Sequence, residues 1–232
     1  MRQFLVSKSL FALTSGYCIL MLLLDVGGID IWLATKFYAL EGYTWALKDY
    51  WVTEQLLHIG ARKLNYVLAL AILLITAYFQ VINKTQPQLS KAFLALCLSL
   101  ICSFTLVAYF KAISNVACPW SLSLFGGNEP YFHLLQNRPS YLPYSQCFPA
   151  GHASVGYAWV ALYYFFKCCK AEYRLLGLAV GLTAGFILGL TQQLRGAHFM
   201  SHDITTLFIC LTSARICFAV VFPQSKSVAT SG

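Results

Sequence analysis

The residues able to do chemistry in this chain gather near its C-terminus. RGAHFMSHD, residues 195–203, holds one arginine, two histidines and an aspartate in a sequence of 232 residues that is 59% hydrophobic and only 10% charged. Three other positions belong with this run. Lys111 closes an apolar stretch, Arg138 lies in a loop rich in proline and glycine, and CFPAGHASVGY, residues 147–157, carries His152 just after Pro149 and Gly151. Phosphoryl transfer suits the set, because a phosphate ester concentrates negative charge and its transition state is stabilised by positioned cations and backbone amides. Lys111, Arg138 and Arg195 supply the cations. Pro149 fits the first turn of a helix, which leaves Gly151 and His152 where free amides and the helix dipole favour an anion. One histidine can attack phosphorus, a second can protonate the leaving oxygen, and a carboxylate can hold the attacking imidazole. His198, His152 and Asp203 fill that inventory.

Other readings of the same residues stand beside this one. His198 and His202 form H-x-x-x-H, which with Asp203 is also a pattern for metal ligation. Gly196 and Ser201, the expected N-cap of the next helix, interrupt a single helix through both histidines, so no metal is expected. A structural polar cluster inside a membrane protein is the plain alternative to catalysis. A lysine at a span end such as Lys111 commonly just snorkels. Arg138 could brace its loop or bind headgroups, and His58 and His133 read as interfacial.

The elements that must position these groups are helices in a bilayer. A soluble domain carries about a quarter charged residues, far more than this chain. Six segments, roughly 9–25, 64–82, 92–110, 153–166, 175–192 and 204–222, approach the ~20 apolar residues needed to cross a hydrocarbon core. The expectation is one all-α polytopic domain over residues 1–232, a six-transmembrane-helix bundle without a second module or repeat. Arg2 and Lys8 before the first apolar run also fit a secretory signal peptide, but no small-x-small cleavage site precedes Asp25, so a retained first helix is expected. Residues 36–56 are too polar to span; Phe37, Leu40, Tyr43, Leu47, Tyr50 and Trp51 recur at helical spacing and suggest a helix lying in the outer interface. Between the third and fourth spans runs a long loop, 111–148, punctuated by prolines and glycines.

The net charge of +8 encodes orientation rather than nucleic-acid binding. With six spans and the N-terminus inside, the inner pieces carry nine basic residues (Arg2, Lys8, Lys84, Lys91, Lys167, Lys170, Arg174, Arg215 and Lys226) against Glu172 alone. The outer pieces carry seven basic and seven acidic residues. The whole excess falls on one side, the positive-inside bias. Both termini are then cytoplasmic, and the polar constellation faces outward. Of nine cysteines, seven lie in or beside spans; Cys118 and Cys147 sit in the outer loop. An oxidising compartment would let these two pair, and two free thiols are the other reading.

The chain resembles the type 2 phosphatidic acid phosphatase superfamily, six-helix membrane phosphatases related to vanadium haloperoxidases. That family shows K-x6-R-P, then P-S-G-H, then S-R-x5-H-x3-D. Here stand KAISNVACP (111–119), PAGH (149–152) and TQQLRGAHFMSHD (191–203), and the resemblance covers about residues 60–222. Cys118 replaces the first arginine, Ala150 the serine, Gln192 the second arginine, and His202 the aspartate, with Asp203 one step beyond. CPWSLSLFGG, CFPAGH and QQLRGAHFMSHD are similar to a bacterial branch. The resemblance implies that His198 becomes a phosphohistidine, His152 protonates the leaving group, and Asp203 (or His202) orients His198. Lys111, Arg195, Arg138 and the amides near Gly151 would bind phosphate, without metal or cofactor. The implied function is a lipid phosphatase or phosphotransferase of a bacterial inner membrane, acting at the periplasmic face. Its substrate in the bilayer would be phosphatidate, phosphatidylglycerophosphate, an isoprenyl diphosphate or lipid A. A non-catalytic lipid-binding protein on the same fold is the alternative, and a channel or transporter stands third, since transport sites usually lie at the midplane in broken helices.

Overall fold

The computed structural model describes residues 2–223; Lys226 and the C-terminal tail expected in the cytoplasm lie outside the described residues. Every extended element among them is helical. Helix α1 (Arg2–Met21) runs into a π-helical turn, Leu22–Val26. Gly28, at φ 77°, supplies the left-handed residue that lets the chain turn into α2 (Ile29–Leu40), 56° away from the helix before it. A second π-helical stretch, Val52–Gly60, continues without a break into α3 (Ala61–Val81). Then come α4 (Pro87–Ile113), α5 (Gly151–Tyr157), α6 (Leu162–Cys169), α7 (Arg174–Leu194) and α8 (Met200–Val221).

Four of the described helices are long and apolar enough to cross a membrane: Val52–Val81, Pro87–Ile113, Ala171–Leu194 and Met200–Val221, with a fifth span if α1 and α2 count as one bent crossing. The chain is thus a polytopic α-helical membrane protein. The segment expected as the fourth of six spans lies within α5–α6, two short helices joined by a 3₁₀ turn, Ala158–Ala161. Packing explains the tight turn. Ala158, Val160 and Ala161 are fully buried between α4, α7 and α8, so the middle of this rod packs at the centre of the bundle, while α6 holds no fully buried residue.

Helix α7 carries glycines at every fourth position, Gly177, Gly181, Gly185 and Gly189. A Cβ on Gly181 would lie 2.3 Å from the Val160 backbone nitrogen, and one on Gly185 2.0 Å from the Tyr157 ring. Gly156 on α5 faces the same seam, where a Cβ would come within 2.2 Å of the Gly185 nitrogen. Small residues let helix backbones touch, and in lipid that contact replaces the missing hydrophobic drive between helices.

The outer interfacial helix expected over 36–56 does not form as one element. Gly42, at φ 74°, ends α2: the Tyr43 N–H bonds back to the Tyr38 carbonyl at 2.9 Å and the Gly42 N–H to Ala39 at 3.1 Å. Residues 41–50 are turns, pinned by the Glu41 carboxylate accepting the Leu47 N–H at 2.9 Å. The aromatic side chains divide. Tyr38 and Trp45 pack inward on Phe125, while Tyr43, Tyr50 and Trp51 stay exposed.

The long loop after α4 is ordered by its own contacts. Cys118 and Cys147 are disulfide-bonded, with Cα atoms 5.3 Å apart, beside a bridge between Val116 and Gln146. Ser114 Oγ donates to the Phe148 carbonyl at 2.6 Å, so the loop's two ends are tied together where α4 stops and α5 begins.

Candidate active site

Three junctions meet at one end of the bundle: the C-terminal end of α4, the start of α5, and the turn between α7 and α8. Two bonds lock α5 to α8. The Ala150 N–H donates to the His202 carbonyl at 3.2 Å, and Thr206 Oγ1 donates to the Ala150 carbonyl at 3.0 Å. Lys111 reaches over the α5 start, its Nζ 3.8 Å from where a Cβ on Gly151 would sit; glycine leaves that space for the ammonium.

His198 sits in the turn, just past Gly196, whose φ of 67° reverses the chain and whose bare Cα leaves room for the Trp45 ring stacked against it. The imidazole is 6% exposed, and its Nδ1 lies 3.3 Å from His202 Nδ1. Phe148 and Phe199 stand edge-on to the His202 ring and wall this pair. Burial first, and then the Lys111 charge, hold His198 well below the ordinary histidine range, against a backbone hydrogen bond at Cys147 that acts the other way. It is therefore a neutral imidazole at neutral pH.

Asp203 does not reach His198. One residue along a helix turns the side chain by about 100°, which carries Asp203 onto α7. There its Oδ2 accepts a hydrogen bond from Gln193 Nε2, and the bare Cα of Gly189 makes the space. The neighbour of His198 is thus His202, the residue at the count of four, and the carboxylate expected to orient it faces elsewhere. The three groups of the metal alternative do not converge, and no cluster of His, Cys, Asp or Glu among the described residues is arranged to hold an ion.

Arg195 is 5% exposed and fully engaged: Nε donates to the Lys48 carbonyl at 2.8 Å, and Nη2 forms an ion pair with Glu54. Its Nη1 donates to His58 Nδ1 at 2.8 Å and to Gln192 Oε1 at 3.2 Å. Arg138 is held in its own loop, ion-paired with Glu129 and donating to Asn115 Oδ1 at 2.9 Å. It lines a separate polar cavity of about 300 Å³ with Asp25, Asp30, Tyr131, His133 and His202. No contact joins Arg138 to His198.

His58, read from the sequence as interfacial, instead packs against the candidate site. Its ring stacks face to face on His152, centroids 3.5 Å apart and planes 19° apart, and its carbonyl lies 3.3 Å from His152 Nε2. Gln192, noted above only as a departure from an arginine, donates to His58 Nδ1 at 3.1 Å. The one available signal was Glu54 and His58 four residues apart ahead of α3, and by itself that spacing carries no chemistry.

The arrangement is suited to covalent phosphoryl transfer: a neutral buried imidazole backed by a second ring, a lysine and a third imidazole beside it. No match to the chain was found among curated proteins or among solved structures. The family model described as PAP2 superfamily matches residues 92–226, more than half of the chain and including Lys111, His152 and His198. The chain belongs to the PAP2 superfamily, and with it to the phosphatase-type enzymes of membranes.

Proposed function

We propose that the protein removes, or transfers, a phosphate from a lipid phosphate ester or diphosphate through a phosphohistidine on His198, at the periplasmic face of a bacterial inner membrane. The observation that carries this reading is the 3.3 Å contact between His198 Nδ1 and His202 Nδ1 in a buried pocket. With the His198 proton kept on Nδ1 and donated as a hydrogen bond to His202 Nδ1, the lone pair on Nε2 is free to attack phosphorus. The new N–P bond forms as the P–O bond to the lipid alcohol breaks, and His152, which takes up a proton when the substrate's negative charge enters beside it, gives that oxygen its proton. Water, or an acceptor alcohol, then attacks the phosphohistidine, gives its proton to His152, and releases phosphate or a new ester. Lys111 and the backbone at Gly151 offset the charge on the phosphoryl oxygens. Asp203, turned onto Gln193, supports this machinery through the packing of α8 on α7.

A lipid substrate is supported by a largely apolar groove of about 440 Å³ between α3, α5 and α7. Leu64, Leu68, Val155, Trp159, Ile187 and Leu188 line it, on the helices that carry His58, His152 and Gln192, and such an apolar lining suits an acyl or prenyl chain. The orientation is supported by the basic turns around Lys84 and Lys170, which lie at the bundle end opposite His198.

The deciding experiment is phosphate release by purified protein over a panel of lipid phosphates, with His198→Ala as control. Vanadate, which takes the five-coordinate geometry of phosphoryl transfer, should inhibit, and EDTA should leave turnover unchanged. Loss of turnover in EDTA with rescue by zinc or manganese would make the phosphohistidine route wrong.

A further inference from the structure

His58 lies before the family-matched segment, yet its ring is held by residues inside it. Two N–H groups converge on Nδ1, from Arg195 Nη1 at 2.8 Å and Gln192 Nε2 at 3.1 Å. The amide's direction is set independently: Arg195 Nη1 also donates to Gln192 Oε1 at 3.2 Å, which turns the NH2 end toward His58. A ring nitrogen that accepts such donors keeps its lone pair there, so the ring proton resides on Nε2. That Nε2–H makes no hydrogen bond to any described residue. The ring also stacks on His152 at 3.5 Å, one ring thickness from the group that serves the leaving oxygen. Arg195 is spent on Lys48, Glu54, Gln192 and His58, so its reach toward a substrate runs through the imidazole rather than directly from the guanidinium.

We infer that His58 is a phosphate-binding residue of this site: Arg195 and Gln192 fix its tautomer, and the Nε2–H so presented donates to a phosphoryl oxygen of the substrate. The inference rests on the phosphatase reading above. It assigns a working role to the π-helical stretch Val52–Gly60, whose widened turn carries Glu54 to Arg195 and His58 to His152 together. It also makes Gln192 a positioning residue, acting on substrate only through the ring it orients.

The test uses the full chain in detergent, with orthovanadate and inorganic phosphate as probes, and reads vanadate affinity alongside kcat and KM. His58→Phe keeps a ring to stack on His152 and removes both nitrogens. His58→Gln places an amide N–H near the lost Nε2. Losing one hydrogen bond to a charged group should weaken vanadate binding by about 10–100-fold and raise KM in step, with kcat changed less. His58→Gln should recover most of that loss. A His58→Phe protein that binds vanadate as tightly as wild type, or more tightly because the ring only plugs the pocket, overturns the inference. Should His58→Phe not fold, Gln192→Leu frees Nδ1 of one donor: weaker vanadate binding supports the assignment, and unchanged binding removes it. A wild-type protein that neither binds vanadate nor releases phosphate ends the phosphatase reading and this inference with it. That result is distinct from one in which wild type and His58→Phe bind alike.

Discussion

His198 and His202 face each other through their Nδ1 atoms, 3.3 Å apart, and no carboxylate among the described residues is hydrogen-bonded to either ring. A carboxylate in the place of His202 would carry a fixed negative charge toward the proposed nucleophile, the His198 imidazole. A neutral ring there offers a hydrogen bond and an orientation, and much less electrostatic support as His198 gains positive charge. His202 Nε2 is buried without a hydrogen-bond partner among the described residues, and the residue lines the 300 Å³ cavity that Asp25 and Asp30 also line. Buried polar groups of this kind are commonly satisfied by ordered water.

The pair predicts an order of effects. His202→Ala removes the hydrogen bond that fixes the His198 tautomer and should lower kcat by about 10²-fold or more, by analogy with loss of an orienting group in other nucleophile–base systems. Asp203→Asn keeps shape and a bond to Gln193, so it should cost far less in kcat. Phosphate release combined with trapping of the phosphohistidine checks both. Asp203→Asn proving the more damaging of the two at unchanged stability would return the orienting role to the carboxylate.

Acid should separate stability from chemistry. In the unfolded chain His198 protonates near the usual value of about 6.5, whereas the folded site keeps it neutral well below that. Between those limits the unfolded state binds more protons, so stability falls as pH drops below about 6.5. As the proposed nucleophile, His198 stays unprotonated and competent over the same interval. Thermal denaturation from pH 7.5 to 5 should show a falling Tm, with a shallower slope in His198→Gln. Phosphoenzyme formation should show no acid limb from His198 near 6.5. The groups that face it, Lys111, His202 and His152, make protonation of His198 costly, so a wild-type slope no steeper than that of the variant would argue against a neutral buried ring.

The Cys118–Cys147 bond closes 29 residues of loop whose ends adjoin Lys111 and Gly151. In the chain-entropy account a loop of that size contributes about 3–4 kcal/mol, an upper figure. Cys118→Ser/Cys147→Ser should lower Tm by several degrees, raise KM more than it lowers kcat, and abolish the difference between reduced and non-reduced samples. Mass mapping of both thiols as free in untreated wild-type protein would remove the premise.

What the sequence made legible was the set of residues at one bundle end. Lys111, His152 and His198 could be matched to motifs and charge sidedness, since each closes or opens an apolar run. The facing of Asp203 and His202 was not legible, because it depends on where α8 starts and how it rotates against Gly189. Nor was His58: its partners are 94 residues away at His152 and 137 at Arg195, and a single chain gives no account of such pairings. The helix expected at 36–56 failed at two adjacent residues, Gly42 and Tyr43, both with positive φ. Apolar spacing continued past Gly42, but the left-handed backbone there stopped α2 and turned Trp45 over Gly196. Arg138 looked like a third cation for phosphate until Glu129, nine residues earlier, claimed it.

The seam between α5 and α7 gives a sharp mutational contrast. Gly156→Ala puts a methyl group 2.2 Å from the Gly185 backbone nitrogen, and neither backbone can yield without parting the helices. Overpacking of this type costs about 1–3 kcal/mol, so Tm in detergent should drop by several degrees and activity with it. Gly16→Ala, where nothing lies within 4 Å, should be neutral. Equal Tm values for the two variants would mean that α5 and α7 are not in backbone contact.

That same seam divides the pocket mechanically. His152 rides on α5, and Gln192, Gln193 and Arg195 ride on α7 and its end, so backbone-to-backbone contact makes these two walls a single rigid jaw. Side-chain packing elsewhere can slip by a rotamer; here there is no rotamer to change. The opposite wall, Val52–Gly60, is held to that jaw by hydrogen bonds, an ion pair and one ring stack, all of them exchangeable for a ligand's own contacts. Opening for the proposed lipid substrate therefore falls to the α3 side, and the spacing between His152 and His198 can stay constant while it happens.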